Sequence, residues 1–221
     1  MKALITGGSG YFGSLLVEKL LSENWECRVL DINYFKGHND VQFIKGDVRD
    51  KKLLLKACED IDIVFHNVAQ VPLAKDKELF NSVNIDGTVS VLKACISKKV
   101  KKIIYTSSSA VFGVPKKNPV TENSIPNPQE DYGRAKYIAE KKCNEFISEG
   151  LEVIIIRPRT ILGHGRLGIF QILFEWIRSG YNIPVLGNGE NIYQFVHAYD
   201  LADAIILSAD KNIKSGIYNC G

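Results

Sequence analysis

Short, almost unbroken apolar runs alternate along this chain with longer stretches whose apolar residues recur every three or four positions. The runs at 3–6, 27–32, 41–44, 61–65, 102–106 and 151–156 have the length and composition of buried strands. Between them, residues 11–21 place Leu15, Leu16, Val17, Leu20 and Leu21 at helical spacing. Residues 51–58, 79–97 and 131–148 read as further helices, the last stopped by Gly150. Strands that are apolar on both faces and separated by helices predict an α/β fold with a doubly wound parallel sheet. Residues 115–129 are polar and proline-containing, the one long loop. After Pro158 the alternation breaks into turns at Gly163, Gly165 and Gly168, a helix near 169–178 and a short segment around 192–196. A helix at 201–207 and a strand at 217–219 resume the first pattern. The expected organisation is a main domain over 1–160, a small second region over 161–198, and a return to the main domain over 199–221.

Composition narrows the class. The 221 residues are 45% hydrophobic and 24% charged, an ordinary globular balance with length for one core or slightly more. A net charge of +3 is too small to predict a nucleic-acid partner. The densest basic run, Lys98-Lys-Val-Lys-Lys102, falls where a helix ends, and it reads as a solvated turn whose cations suit the helix C-terminus. Cys27, Cys58, Cys95, Cys143 and Cys220 are odd in number, widely spaced and without a C-x-x-C pair. Reduced, partly buried thiols are therefore expected, with no disulfide and no metal site. No apolar run approaches ~18 residues, so no membrane span is expected. The first strand begins at the second residue, which leaves no room for a signal peptide, and a cytoplasmic protein is expected.

The chemistry concentrates where predicted strands end. Gly8, Gly10 and Gly13 fit G-x-G-x-x-G, and Gly7, Gly10 and Gly13 fit the variant with threefold spacing. Such a loop turns sharply and lets its backbone approach a pyrophosphate, while the following helix points free N–H groups at the anion. Asp31 closes the second strand, where a carboxylate accepts from adenosine ribose hydroxyls and repels a 2′-phosphate, favouring NAD over NADP. Asp47 suits either an adenine amino group or the cap of the helix that opens near Asp50. Thr106-Ser-Ser-Ser109 leaves the fifth strand with hydroxyls suited to a carbonyl or alkoxide. Tyr132 and Lys136 share one helical face, so the ammonium favours the tyrosine phenolate.

These ordered motifs, together with Gly46-Asp-Val-Arg-Asp50, His66-Asn-Val-Ala-Gln70, Val83-Asn-Ile-Asp-Gly-Thr88 and Phe195-Val-His197, resemble the extended short-chain dehydrogenase/reductases. The resemblance is to the NAD-dependent epimerase/dehydratase group that acts on nucleotide sugars, and it runs over residues 1–221. It implies a Rossmann-type NAD-binding domain over 1–160 and a partial substrate-binding region over 161–198. It also implies a role for Tyr132 in proton transfer, for Lys136 at the nicotinamide ribose, and for Ser108 in orienting the substrate oxygen. Gly7, Gly10, Tyr11, Phe12 and Gly13 form the implied cofactor loop, Asp31 the ribose partner, and Asp47 with Val48 the adenine end. Val68 and Ala69 line the cofactor, and Asn84 lies behind it. A homodimer built on helices 79–97 and 131–148 is implied as well.

Departures from the family pattern bear on the substrate. Ser109-Ala110 stands where sugar dehydratases carry Asp-Glu, which argues against 4,6-dehydration. Tyr193 stands where an arginine usually grips the pyrophosphate, and Thr160 where asparagine is common. Arg159 and Arg166 are candidates to supply the missing charge, so Ser109, Arg159, Thr160, Arg166 and Tyr193 are the candidate substrate residues. His164 and His197 read as structural. Family members continue beyond the strand at 217–219, where part of their substrate lid arises. The resemblance implies an NAD-dependent epimerase of a nucleoside-diphosphate sugar. The alternative is a net oxidoreductase of a non-nucleotide alcohol or ketone, like a 3β-hydroxysteroid dehydrogenase or carbonyl reductase. A non-catalytic nucleotide sensor fits less well, because Ser108, Tyr132 and Lys136 are all present.

Overall fold

The computed structural model describes residues 1–70, 77–115, 117–165, 170–185 and 187–221. The first half runs β1 (Lys2–Thr6), α1 (Tyr11–Ser22), β2 (Glu26–Asp31), β3 (Gln42–Lys45), α2 (Lys51–Ala57), β4 (Ile63–His66), α3 (Lys77–Asn81) and α4 (Thr88–Ser97). The second runs β5 (Lys102–Thr106), α5 (Asp131–Ser148), β6 (Glu152–Pro158), β7 (Thr160–Leu162), α6 (Phe170–Arg178), β8 (Phe195–His197), α7 (Ala198–Leu207) and β9 (Gly216–Cys220). Seven strands form one sheet in the order β3-β2-β1-β4-β5-β6-β9, and every pairing is parallel. All their carboxyl ends therefore share one edge. The strand order reverses between β1 and β4, which opens a crevice at that edge.

Burial on both sheet faces explains the unbroken apolar strands; all four residues of β4 are buried. On one face α1 and α7 pack Phe12, Leu16, Val17, Leu201 and Ile205 against the sheet. On the other, α2, α4 and α5 bring Leu54, Val91, Leu92, Ala139 and Cys143. All five cysteines are free, four of them buried, and burial pushes the Cys27 thiol up to about 12. Among the described residues no group of side chains could hold a metal ion, and no helix is long and apolar enough to cross a membrane.

Three expectations change. The helix expected over 79–97 begins at Lys77 and widens into a π-helical segment, Ser82–Gly87, before α4. There the Thr88 and Ser90 hydroxyls donate back to the Asn84 and Asp86 carbonyls, competing with the helical ladder. Secondly, β7 lies where the sequence predicts no strand. Three residues are too few to show periodicity, and their partner is the equally short β8, in the register Thr160↔Phe195 to Leu162↔His197. Thirdly, the basic run is no uniform solvated turn. Lys98 pairs with Glu59 and Lys101 with Asp62, while Lys102 is buried and donates to the Asp210 and Ile213 carbonyls at 2.6 and 3.0 Å.

Candidate active site

The glycine loop joins β1 to α1 at the reversal point. Gly7 has φ +75°, and a Cβ there would come within 3.0 Å of the Val68 amide nitrogen, so side chains are excluded both by conformation and by space. A Cβ at Gly13 would run into the Gly7 carbonyl. Gly10 caps α1 in extended conformation and, lacking a side chain, offers the first turn no cap acceptor of its own. That suits an external anion at this helix N-terminus.

Asp31 ends β2 nearly buried. Its Oδ2 accepts from the Ser9 amide at 3.0 Å and its Oδ1 from the Asn33 amide at 2.8 Å. The glycine loop itself aims this carboxylate, and lone pairs remain for ribose hydroxyls. Asp47 does not cap a helix. Asp50 does so, accepting from the Lys52 and Leu53 amides, while Asp47 is held in a bidentate pair by Arg49 (2.6 and 3.0 Å) that lowers its pKa. Val48 is buried beneath Gly87. Val68 and Ala69 are half-buried after β4, and Asn84 fixes the end of that segment. The Asn84 Oδ1 accepts from the Gln70 amide at 2.8 Å and its Nδ2 donates to the Gln70 carbonyl at 3.1 Å. The widened π turn carries Asn84 inward for this task.

Beneath lies a neutral histidine. Burial, then the Lys136 charge, pushes His66 down to about 3. The Thr88 hydroxyl spends its proton on the Asn84 carbonyl, so His66 Nε2 donates to Thr88 (3.0 Å) and Nδ1 accepts from the Thr6 hydroxyl (2.7 Å). One tautomer is thereby selected, and β1, β4 and the π segment are linked.

Ser108, Tyr132 and Lys136 converge at the end of β5. Ser108 caps a 3₁₀ turn, Ser109–Phe112, its Oγ accepting from the Ala110 amide at 3.2 Å. That turn lies against α5 at Gly133, where a Cβ would come within 3.0 Å of both Ala110 C and Pro128 Cβ. The missing side chain lets this turn pack against the first turn of α5, the one that carries Tyr132. Tyr132 is half-buried in the first turn of α5, edge-on to Phe80 with centroids 6.3 Å apart. Lys136, one turn on, is buried; its Nζ donates to the Thr106 carbonyl at 2.7 Å and lies 4.7 Å from the Tyr105 ring centroid. Burial pushes its pKa down to about 8, against the opposing pull of Cys143 and Glu140.

Sequence reasoning missed what supports this set. Glu140, a further turn along the same face, is fully buried and accepts from Arg157 Nε and Nη2 (2.9 and 2.7 Å) and from Ser107 Oγ (2.6 Å). Arg157 also stacks on Phe112, 4.8 Å from its centroid. A Tyr-x-x-x-Lys-x-x-x-Glu spacing with an arginine ending the next strand was the available signal.

The candidate substrate residues meet beside the 3₁₀ turn. Arg159 Nη1 donates to Ser109 Oγ at 3.3 Å and the guanidinium lies 5.1 Å from the Tyr193 centroid. The Thr160 and Tyr193 hydroxyls are 3.1 Å apart. Arg166 lies outside the described residues. His164 is exposed, and His197 caps α7 by accepting from the Tyr199 amide. Tyr11 runs from the cofactor loop to Gly163, where any Cβ would strike its hydroxyl.

Fold and glycine loop together define a Rossmann-type α/β protein with a dinucleotide cleft. The chain belongs to the NAD dependent epimerase/dehydratase family, whose sequence model matches residues 3–221. NAD is the cofactor of that family. An uncharacterized protein of Sinorhizobium fredii is 53% identical over 222 residues, covering 99% of this chain and 56% of that protein. The human sterol-4-alpha-carboxylate 3-dehydrogenase is 32% identical over 216 residues, 95% of this chain and 58% of that protein. The chain thus spans little more than half the length of these two relatives. Among solved structures, the UDP-glucose 4-epimerase of Thermotoga maritima with UDP-glucose superposes with a TM-score of 0.88 at 28% identity, over 100% of this chain and 77% of that one.

Proposed function

We propose that this protein is an NAD-dependent epimerase of a nucleoside-diphosphate sugar, acting by transient oxidation to a keto-sugar. The observation that carries this reading is the convergence of Ser108, Tyr132 and Lys136 beside a turn, Ser109–Phe112, that holds no carboxylate for dehydration. The residues fit the cofactor. The glycine cap of α1 suits a pyrophosphate, the Asp31 carboxylate stands beside the glycine loop with lone pairs to spare, and buried Lys136 has three donors but one acceptor among the described residues.

When bound, NAD supplies reversible hydride acceptance. The rest falls to the chain. Tyr132 Oη takes the proton of the sugar hydroxyl as that carbon is oxidised, and returns it on reduction. Lys136, charged within a dry site, lowers the cost of the phenolate. Ser108 Oγ already accepts from Ala110, so its own proton is free to donate to the ketone oxygen. Asn84 and Val68 hold the wall of the cleft. Reduction of the opposite ketone face completes epimerisation with no net change in cofactor.

The test is incubation with NAD and a panel of UDP-, GDP- and dTDP-sugars, followed by NMR for epimers. Epimer formation without accumulating reduced nicotinamide supports the proposal; stoichiometric reduction overturns it. The likeness to a sterol dehydrogenase and the uncharged Tyr193 favour a second reading, net oxidation of a non-nucleotide alcohol. Absorbance at the nicotinamide band separates the two. Pairing of two copies through α4 and α5 belongs to the same proposal, supported by Ile96 and Ile138 exposed on those helices. The five free thiols fit a reducing, cytoplasmic setting.

A further inference from the structure

Two arginines flank Pro158, where β6 ends, and they are treated in opposite ways. Arg157 is buried and paired with Glu140 through Nε and Nη2. Arg159 is half-exposed at the sheet's carboxyl edge, and among the described residues no carboxylate pairs with it. It is nonetheless held in place. Its amide donates to the Cys220 carbonyl at 2.8 Å, its guanidinium lies over Tyr193, and one N–H reaches Ser109 Oγ. Tyr193 is fixed in turn by Thr160 and by Phe195, whose ring centroid is 4.9 Å away.

An aromatic face fixes the plane of a guanidinium and leaves its edge available for bidentate pairing. Ser109 follows Ser108, so the residue that Arg159 touches is the chain neighbour of the one assigned to the reacting oxygen. A ring held by Ser108 and Tyr132 brings its other substituents, or its first phosphate, toward that edge.

We infer that Arg159, roofed by Tyr193 and supported by Ser109 and Thr160, is a specificity-determining residue that binds an anionic group of the substrate, a carboxylate or a phosphate. The inference rests on the nucleotide-sugar reading of the same site and adds the residue that grips one of its anionic groups.

The test is calorimetric titration of the NAD-loaded protein and its Arg159→Leu and Arg159→Lys variants. The probes are UDP-glucose, UDP-glucuronate, UDP, free glucuronate and inorganic pyrophosphate. Arg159→Leu is expected to weaken anionic probes by about 10- to 100-fold, with Arg159→Lys intermediate. If the sugar carboxylate is the group, UDP-glucuronate binds wild-type protein at least ~10-fold tighter than UDP-glucose, and the leucine variant erases that preference. If phosphate is the group, UDP and both UDP-sugars weaken together. Should free pyrophosphate or glucuronate bind through Arg159 while no UDP-sugar binds, the anion subsite stands and the nucleotide-sugar reading falls. Affinities for every probe within about twofold of wild type in the leucine variant, with NAD binding intact, would overturn the inference. So would a wild-type protein that takes up none of the anions.

Discussion

Replacing Lys136 with methionine is expected to make the cofactor-free protein more stable at pH 7 and less stable at pH 11. The ammonium is buried without a carboxylate partner, and burial lowers its pKa from 10.5 to about 8. Keeping it charged at neutral pH therefore costs about 3 kcal/mol. Methionine removes that cost in a similar volume, but it strands the Thr106 carbonyl that Nζ now satisfies, a loss of about 1.5 kcal/mol. The net gain at pH 7 is about 1–2 kcal/mol, or roughly 5 °C for a chain of this size. Because the folded pKa lies below the unfolded one, the unfolded chain holds more protons between the two values. Wild-type stability therefore rises relative to the variant from about pH 8 to 10.5; the penalty is complete below the first value and gone above the second. The two stability curves should cross between about pH 8 and pH 10.5. Urea unfolding followed by tryptophan fluorescence at several pH values measures this, since all other groups are common to both proteins. Parallel curves, or a wild type that is the more stable at pH 7, would refute the account of Lys136 as an uncompensated buried charge.

Glu140→Gln should cost about 3–5 kcal/mol in the same assay, because it leaves the Arg157 guanidinium buried without its counter-charge; the Glu140→Leu, Arg157→Met pair should recover much of that loss. Tyr132→Phe should lower turnover by about 10²- to 10⁴-fold while NAD affinity stays within about threefold, read by single-turnover kinetics and calorimetry. Asp31→Asn should weaken NAD and narrow its advantage over NADP, since the carboxylate that repels a 2′-phosphate is gone; an unchanged ratio of dissociation constants would assign Asp31 to loop geometry alone. Gly163→Ala should lower the melting temperature and displace Tyr11, because the new Cβ meets its hydroxyl.

The parallel sheet was legible because six of its strands are apolar runs and the glycine, carboxylate and hydroxyl positions fall at their ends. The 132/136 pair was legible because helical spacing is a local rule. Glu140 obeyed the same rule, but its meaning depends on Arg157 from a strand whose depth no local pattern shows. The π turn at Ser82–Gly87 left no periodic trace, because one widened turn barely shifts the spacing of apolar residues. Two three-residue strands, β7 and β8, specify each other only through tertiary contact. Of the two readings of Asp47, the cap fails for a simpler reason: Asp50 sits at the cap position and Arg49 occupies Asp47.

The contact between Tyr11 and Gly163 makes two distant stretches a single unit of exchange. Tyr11 belongs to the cofactor loop, and Gly163 follows β7 on the substrate side. A substrate region grafted from a relative with a side chain at position 163 would collide with this tyrosine, and a cofactor domain lacking the tyrosine would leave a hole beneath this glycine. Chimaeras that swap one half while keeping the other must therefore carry both residues across the junction, or replace both. On the proposed division into cofactor and substrate parts, the seam therefore runs through that pair rather than along chain order.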